Sequence, residues 1–205
     1  MSKTEYIDEI KEIRHIMEKS TKFLSLSGLS GILAGIYALI GAFLAYRITY
    51  KADHIIYDDI RAGDLSGDLL KLVIIAAGVL ILALITGIIL SFNKAKKSGT
   101  KIWTNSARRL IFNFSVPMLT GGVFILLLYL RGYYGLIAPA ALVFYGLALI
   151  NAGNFTFSDV RYLGIIEIIL GLITGFVPSY GLITWAIGFG VLHIIYGAIM
   201  HFKYG

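Results

Sequence analysis

The chain has 205 residues, of which 58% are hydrophobic and only 15% are charged, with a formal net charge of +6. Soluble domains are about 45–50% apolar and about 25% charged, so this composition excludes a soluble enzyme, a disordered tail and a nucleic-acid-binding module. The absence of cysteine excludes disulfides, thiolate metal sites and cysteine nucleophiles. The few charges lie in short stretches between long apolar runs, which is typical of an integral membrane protein.

Residues 1–22 predict a cytoplasmic amphipathic helix. Tyr6, Ile10, Ile13 and Met17 recur at the spacing of one helix face. The segment has five acids and five bases ahead of the first apolar run, which is unlike a secretory signal peptide. Two roles remain open for this helix. It lies on the membrane or bundle surface, or it pairs with a copy of itself or a cytoplasmic partner.

Six segments are long and apolar enough to cross a bilayer, which requires about 20 residues. They predict an all-α, polytopic membrane protein, with a bundle of six transmembrane helices in residues 23–205. The predicted spans are 23–46, 69–92, 110–130, 134–150, 162–177 and 181–202. The fourth and fifth are the shortest, so four spans with two re-entrant hairpins remain an alternative.

The basic residues beside the spans predict that both termini are cytoplasmic, because cytoplasmic loops carry an excess of lysine and arginine. The side of the termini holds Lys3, Lys11, Arg14, Lys19, Lys22, Lys94, Lys96, Lys97, Lys101, Arg108, Arg109, Arg161 and Lys203. The opposite side holds Arg47, Lys51, Arg61, Lys71 and Arg131. We therefore expect a multi-pass protein of a bacterial inner membrane.

Only two connections are long. Residues 49–68 are rich in aspartate, and we interpret them as a solvated acidic loop; a calcium or magnesium site is the alternative, although the spacing matches no ordered ligand loop. Residues 93–109 are basic and fit a topology determinant with a preference for lipid headgroups; a clamp for an anionic headgroup or nucleotide is the alternative. No metal or other cofactor is predicted.

Two ionisable residues, Glu167 and His193, lie inside the predicted fifth and sixth spans. Such groups are costly in a membrane and usually face protein or a water-filled cavity. Each shares a helix face with glycines, which let membrane helices approach closely. We therefore expect neither to face lipid. The predicted helix-packing positions are Gly31, Gly35, Gly164, Gly171, Gly190 and Gly197.

The two ionisable residues are also predicted to lie at equal depth. Counted from the tight turn at 178–181, Glu167 lies about 12–13 residues before it and His193 about 13–14 residues after it. The depths differ by only about 1.5 Å, in the cytoplasmic half of the bilayer. We expect the side chains to interact directly or through one water. Burial favours the neutral form of each group and the partner favours the charged form, so the pair could share one proton.

Further polar residues complete the candidate substrate- or proton-binding site: Tyr145, Tyr196 and Asn113, with Asp159 and Arg161 expected to pair locally. One hypothesis is a transporter, channel or membrane substrate-binding subunit that uses this site. The alternative is an accessory, sensory or assembly protein in which Glu167 and His193 form a structural polar staple. No nucleophile–base motif favours an enzyme. The expected partners are the lipid bilayer and a second copy or a membrane subunit.

Overall fold

The computed structural model describes residue 23 and residues 26–51, 54–55, 66–99 and 102–204. The predicted amphipathic helix at 1–22 and most of the acidic connection lie outside these residues. The described chain is helical apart from one two-residue antiparallel ladder, in which β1 (Tyr50–Lys51) pairs with β2 (His54–Ile55).

Seven α-helices follow one another along the described chain. They are α1 (Gly28–Thr49), α2 (Ser66–Lys97), α3 (Asn105–Leu130), α4 (Ile137–Ala152), α5 (Asp159–Phe176), α6 (Gly181–Trp185) and α7 (His193–Tyr204). Short 3₁₀ turns precede α4 and α6, at Tyr134–Leu136 and Pro178–Tyr180. A π-helical segment, Ala186–Leu192, joins α6 to α7, so that residues 181–204 form one continuous helical rod.

Five helical stretches of the described chain are long and apolar enough to cross a membrane. They are Gly28–Thr49, Leu70–Lys97, Asn105–Leu130, Tyr134–Ala152 and Pro178–Tyr204. The predicted fifth span corresponds to α5, which has only 18 residues and carries Asp159, Arg161 and Glu167. These three charges make α5 less apolar than the other five stretches, and the six-span count is therefore not confirmed.

Local sequence explains the sharp ends of α3. Before the helix, the Thr104 hydroxyl accepts a hydrogen bond from the Ala107 amide at 3.1 Å, which satisfies one of the unpaired donors of the first turn. After the helix, Gly132 adopts a φ of 76°, a left-handed conformation that glycine adopts without strain. The chain then returns as α4. Across this connection the rings of Tyr129 and Tyr134 contact each other, with their centroids 5.8 Å apart.

The helices pack as two groups that meet at the last rod. Helix α1 packs against α2, the π-helical segment and α7, whereas α4 packs against α3 and α5. Glycine permits the closest of these approaches. A Cβ atom on Gly35 would lie 2.6 Å from the Gly190 carbonyl oxygen, and one on Gly197 would lie 2.5 Å from the Ile32 amide nitrogen. The Gly31–Gly35 pair thus contacts the last rod of the same chain.

Helix α2 lies at the periphery. None of the residues in its most apolar stretch is buried within the protein. Side chains such as Ile74, Ile81 and Ile88 remain more than half exposed, which suits a helix whose outer surface is covered by lipid.

One end of the bundle, here called the Lys203 end, joins the last turns of α2 and α7 to the start of α5. Asp159 accepts hydrogen bonds from Lys203 at 3.2 Å and from the Tyr204 hydroxyl at 2.8 Å. The Lys94 ammonium donates to the Tyr204 carbonyl at 2.5 Å. The expected local pairing of Asp159 with Arg161 is therefore replaced by pairing across helices, because the α7 end lies directly against Asp159.

Candidate functional site

Three helices bring together Tyr145 from α4, Glu167 from α5 and His193 from α7. The Glu167 side chain is completely buried, and His193 is only 6% exposed. The His193 Nδ1 atom lies 3.6 Å from Glu167 Oε1. The two side chains thus lie side by side inside the bundle. Tyr145, Glu167, Gly188 and His193 are called the Glu167 site below.

Hydrogen bonds fix the orientation of the histidine ring. Its Nδ1 lies 2.9 Å from the Gly188 carbonyl oxygen. A carbonyl can only accept, so Nδ1 carries a hydrogen and donates it. Its Nε2 lies 2.7 Å from the Tyr145 hydroxyl. The hydroxyl donates to a neutral imidazole and accepts from an imidazolium, so both protonation states of His193 keep two hydrogen bonds.

Glu167 is in the opposite situation. Neither carboxyl oxygen has a hydrogen-bond partner among the described residues, and 3.6 Å to His193 exceeds a hydrogen-bond length. Most buried polar atoms are hydrogen-bonded, and an unsatisfied one costs about 1–3 kcal/mol. The hydrogen on His193 Nδ1 already bonds to Gly188. One member of the pair is therefore satisfied by other groups and the other is not.

The π-helical segment explains why the Gly188 carbonyl reaches the ring. Gly188 lies five residues before His193, and the wider turn of a π-helix brings residues at this separation together. Gly188 also makes room for the carboxyl, since a Cβ atom there would lie 2.5 Å from both Glu167 Oε2 and Leu142 Cδ2. The role of Gly188 was not predicted; the pair of glycines at 188 and 190 ahead of the histidine was the available signal.

Aromatic rings cover the histidine. Phe189 stacks on His193 with ring centroids 6.0 Å apart and contacts Tyr145 at 5.0 Å. Trp185 lies 5.2 Å from Phe189, and Phe114 meets Tyr145 edge-on at 6.2 Å. These rings give the imidazole an apolar surrounding in which electrostatic interactions are stronger than in water.

The remaining predicted site residues lie at different places. The Tyr196 hydroxyl is buried and has no hydrogen-bond partner among the described residues. The Asn113 amide donates to the Arg109 carbonyl of its own helix at 2.8 Å, and this bond does not connect it to the Glu167 site.

The glycines beside the two ionisable residues contact other helices. Gly190 faces Leu39 of α1, and Gly171 faces the Pro139 carbonyl of α4. The glycines and the ionisable residue were predicted to share one face of each helix. In the structure the glycines pack against a neighbouring helix, and Glu167 and His193 lie on the adjacent part of the helix surface.

The chemistry available here is the binding and release of a proton or a small polar ligand. The described residues contain no group of three or more His, Cys, Asp or Glu side chains that could hold a metal ion. No protein-family model, curated protein or solved structure matches the chain. The functional argument therefore depends on the geometry of the site.

Proposed function

We propose that the chain is a multi-pass membrane transporter in which Glu167 binds and releases the proton that is transported. The single observation that carries this proposal is the buried carboxyl group without a hydrogen-bond partner. A buried ionisable group in a membrane protein favours a functional role unless a partner satisfies it. A purely structural staple would place a hydrogen bond between Glu167 and His193, and the described geometry has none.

Space around the carboxyl favours a proton over a larger ligand. Gly188 lies directly against it, and a single added carbon at Gly188 would collide with both Glu167 and Leu142. A proton needs no additional volume. His193 keeps its two hydrogen bonds in either protonation state, so its charge can respond to that of Glu167 without a rearrangement of the ring.

The proposed topology has α5 as a sixth span. Its 18 residues extend about 27 Å, close to the hydrocarbon thickness of a bilayer. It packs closely along α4, since a Cβ atom on Gly164 would lie 2.6 Å from the Gly146 carbonyl oxygen. It also runs antiparallel to α7, because Asp159 meets Lys203 at one end and Glu167 meets His193 further along.

The proposed orientation places the Lys203 end in the cytoplasm of a bacterial cell, at the inner membrane. The described basic residues at this end are Lys94, Lys96, Lys97, Arg108, Arg109, Arg161 and Lys203. Those at the opposite end are Arg47, Lys51, Lys71 and Arg131. This asymmetry favours a cytoplasmic Lys203 end, and six spans then put both termini on that side.

A proton-flux measurement tests the function. The full chain is reconstituted into liposomes that contain a pH-sensitive dye, and an inward pH gradient is imposed while the potassium ionophore valinomycin compensates charge. We expect the wild-type protein to acidify the interior faster than protein-free liposomes, and Glu167→Gln to return the rate to that baseline. Thr174→Val is the matched control, because it changes another completely buried polar residue of α5 whose hydroxyl bonds only to its own helix.

Two results would contradict the proposal: wild-type flux at the liposome baseline, or full flux in Glu167→Gln. Full flux together with a large loss of thermal stability would favour the accessory protein with a polar staple. If Glu167→Gln does not fold, infrared spectroscopy of the wild-type chain decides the point. A carboxyl stretching band that responds to pH and shifts in Glu167→Asp supports the proposal, and a band that ignores pH overturns it.

A further inference from the structure

We infer that, in this conformation, Glu167 exchanges its proton with the Lys203 end, along a row of tyrosine hydroxyls that leads from Tyr145 through Tyr196 and Tyr204 to Asp159. This inference rests on the proposed function, because a route is needed only if Glu167 exchanges protons. The inference specifies the side of the membrane with which Glu167 exchanges protons and the side chains that carry them.

Two helix faces lie opposite each other between the site and that end. On α7, Tyr196, Met200 and Tyr204 follow His193 by three, seven and eleven residues, which is the spacing of one face. On α5, Asp159, Leu163 and Glu167 follow one another at four-residue spacing. The two faces are in contact at both ends. The Tyr204 hydroxyl lies 2.8 Å from Asp159 Oδ2 at one end, and His193 Nδ1 lies 3.6 Å from Glu167 Oε1 at the other.

Tyr196 lies between the two fixed ends. Its hydroxyl is buried without a hydrogen-bond partner among the described residues. It packs against the same cluster of buried residues as Tyr145 and Tyr204. A phenol hydroxyl both donates and accepts. This unpartnered group is therefore placed to relay a proton between two hydrogen-bonded pairs, with bridging water completing the longer steps.

The transfer needs no oxidant or other reactant. At each hydroxyl one O–H bond forms while the other breaks, and in the last step His193 Nε2 takes the proton of the Tyr145 hydroxyl while Nδ1 gives its own proton to Glu167 Oε1. A proton thus enters at Asp159 and a different proton arrives at Glu167. The groups that face this route are Lys203 beside Asp159 and His193 beside Glu167, and Lys94 reaches the Tyr204 carbonyl. Apolar side chains of the cluster around Leu149 and Phe157 surround the tyrosines.

The opposite direction lacks such a row among the described residues. One turn beyond Glu167, Gly171 packs against the Pro139 carbonyl and Leu142. One turn further, the Thr174 hydroxyl bonds to the Leu170 carbonyl of its own helix at 2.6 Å. The Thr184 hydroxyl likewise bonds to carbonyls at the start of its own rod. The hydroxyls that could relay a proton thus lie on one side of Glu167.

Tyr196→Phe tests the route, because it removes one oxygen atom and keeps the ring. In the liposome assay we expect proton flux to fall about a hundredfold or more, because a positioned proton-transfer group typically accelerates a reaction by about 10²–10⁴-fold. The pH-dependent infrared band of Glu167 should persist, since the acceptor remains. Tyr162→Phe, at a 66% exposed position of α5, is the matched control and should keep wild-type flux.

The outcomes separate this inference from the proposed function. Wild-type flux in Tyr196→Phe, with flux still lost in Glu167→Gln, overturns the route and leaves the proton site in place. Full flux in both variants overturns both. If Tyr196→Phe does not fold, Asp159→Asn replaces it: slowed proton exchange from the Lys203 end supports the route, and unchanged exchange in oriented liposomes contradicts it.

Discussion

The rod formed by residues 181–204 has two contrasting interfaces. Towards α1 it is in contact through glycines and backbone atoms: Gly197 lies against Ile32 and the Gly28 carbonyl, and Gly190 lies against Leu39. Towards α4 and α5 it presents His193 to a hydroxyl and to a carboxyl group whose oxygens have no partner. The interface with α1 depends on glycines, which have no side chains. The interface with α4 and α5 depends on the polar side chains that surround His193.

This difference assigns separate tasks to the two sides of one element. Close backbone contact with α1 leaves little room for the rod to shift, so His193 is held at a fixed place. In the proposed function, Glu167 on the incompletely bonded side then changes its protonation while the rod stays in place. A rigid anchor opposite a reactive group is the arrangement that keeps a functional geometry defined.

The largest expected effect comes from a substitution at the interface between the rod and α1. Gly197→Ala places a carbon 2.5–2.9 Å from backbone atoms of α1, which cannot move aside as a flexible side chain could. We expect the free energy of unfolding to fall by about 1–3 kcal/mol or more, measured by thermal unfolding in detergent. Gly78→Ala in α2 is the control, since no atom lies within 4 Å of the added carbon. There the better helix propensity of alanine should add about 0.5–1 kcal/mol.

A second pair of substitutions sharpens the contrast inside the π-helical segment. Gly188→Ala pushes a carbon towards Glu167 and Leu142, whereas Gly190→Ala pushes one towards Leu39 on the α1 side. We expect both to lower stability by about 1–3 kcal/mol, because each overpacks side-chain ends. Only Gly188→Ala should also reduce proton flux. Equal flux in the two variants would show that the space at Gly188 is unimportant for the carboxyl.

A third comparison concerns the two polar partners of His193. Tyr145→Phe removes the hydrogen bond to Nε2 and should cost about 0.5–1.5 kcal/mol of stability. Glu167→Met, of similar length, removes a carboxyl that makes no hydrogen bond and should leave stability unchanged or raise it. Chemical denaturation of both variants checks this. A loss in Glu167→Met larger than that in Tyr145→Phe would mean that the carboxyl holds the helices together.

The smallest effect is expected at the Lys203 end. Lys203→Gln breaks the ion pair between Lys203 and Asp159. Because the lysine side chain is 53% exposed, we expect only a small loss of stability. The loss should shrink further as salt is added, because salt screens exposed charges. Thermal unfolding at low and high salt measures it. A salt-independent loss would indicate that Lys203 contributes through packing instead.

Part of this arrangement could be predicted from the sequence. The apolar runs indicated the membrane-spanning class, and residue counting from the 178–181 turn predicted that Glu167 and His193 meet. Counting assumes regular helices, however, and it could not show the π-helical segment or the partner that Gly188 provides. It also paired Asp159 with Arg161, since it had no information on which helix end lies beside α5. Three-dimensional neighbours decide such contacts, and spacing along one helix does not.

The wide turn between α6 and α7 has a consequence for how this chain tolerates changes in length. Each residue of an α-helix rotates the chain by about 100°, so deleting a single residue between 186 and 192 would turn the whole of α7 relative to α6. His193 and Gly197 would leave their neighbours together, although neither had been altered. The position of His193 and the close packing of Gly197 therefore both depend on the length of this seven-residue segment.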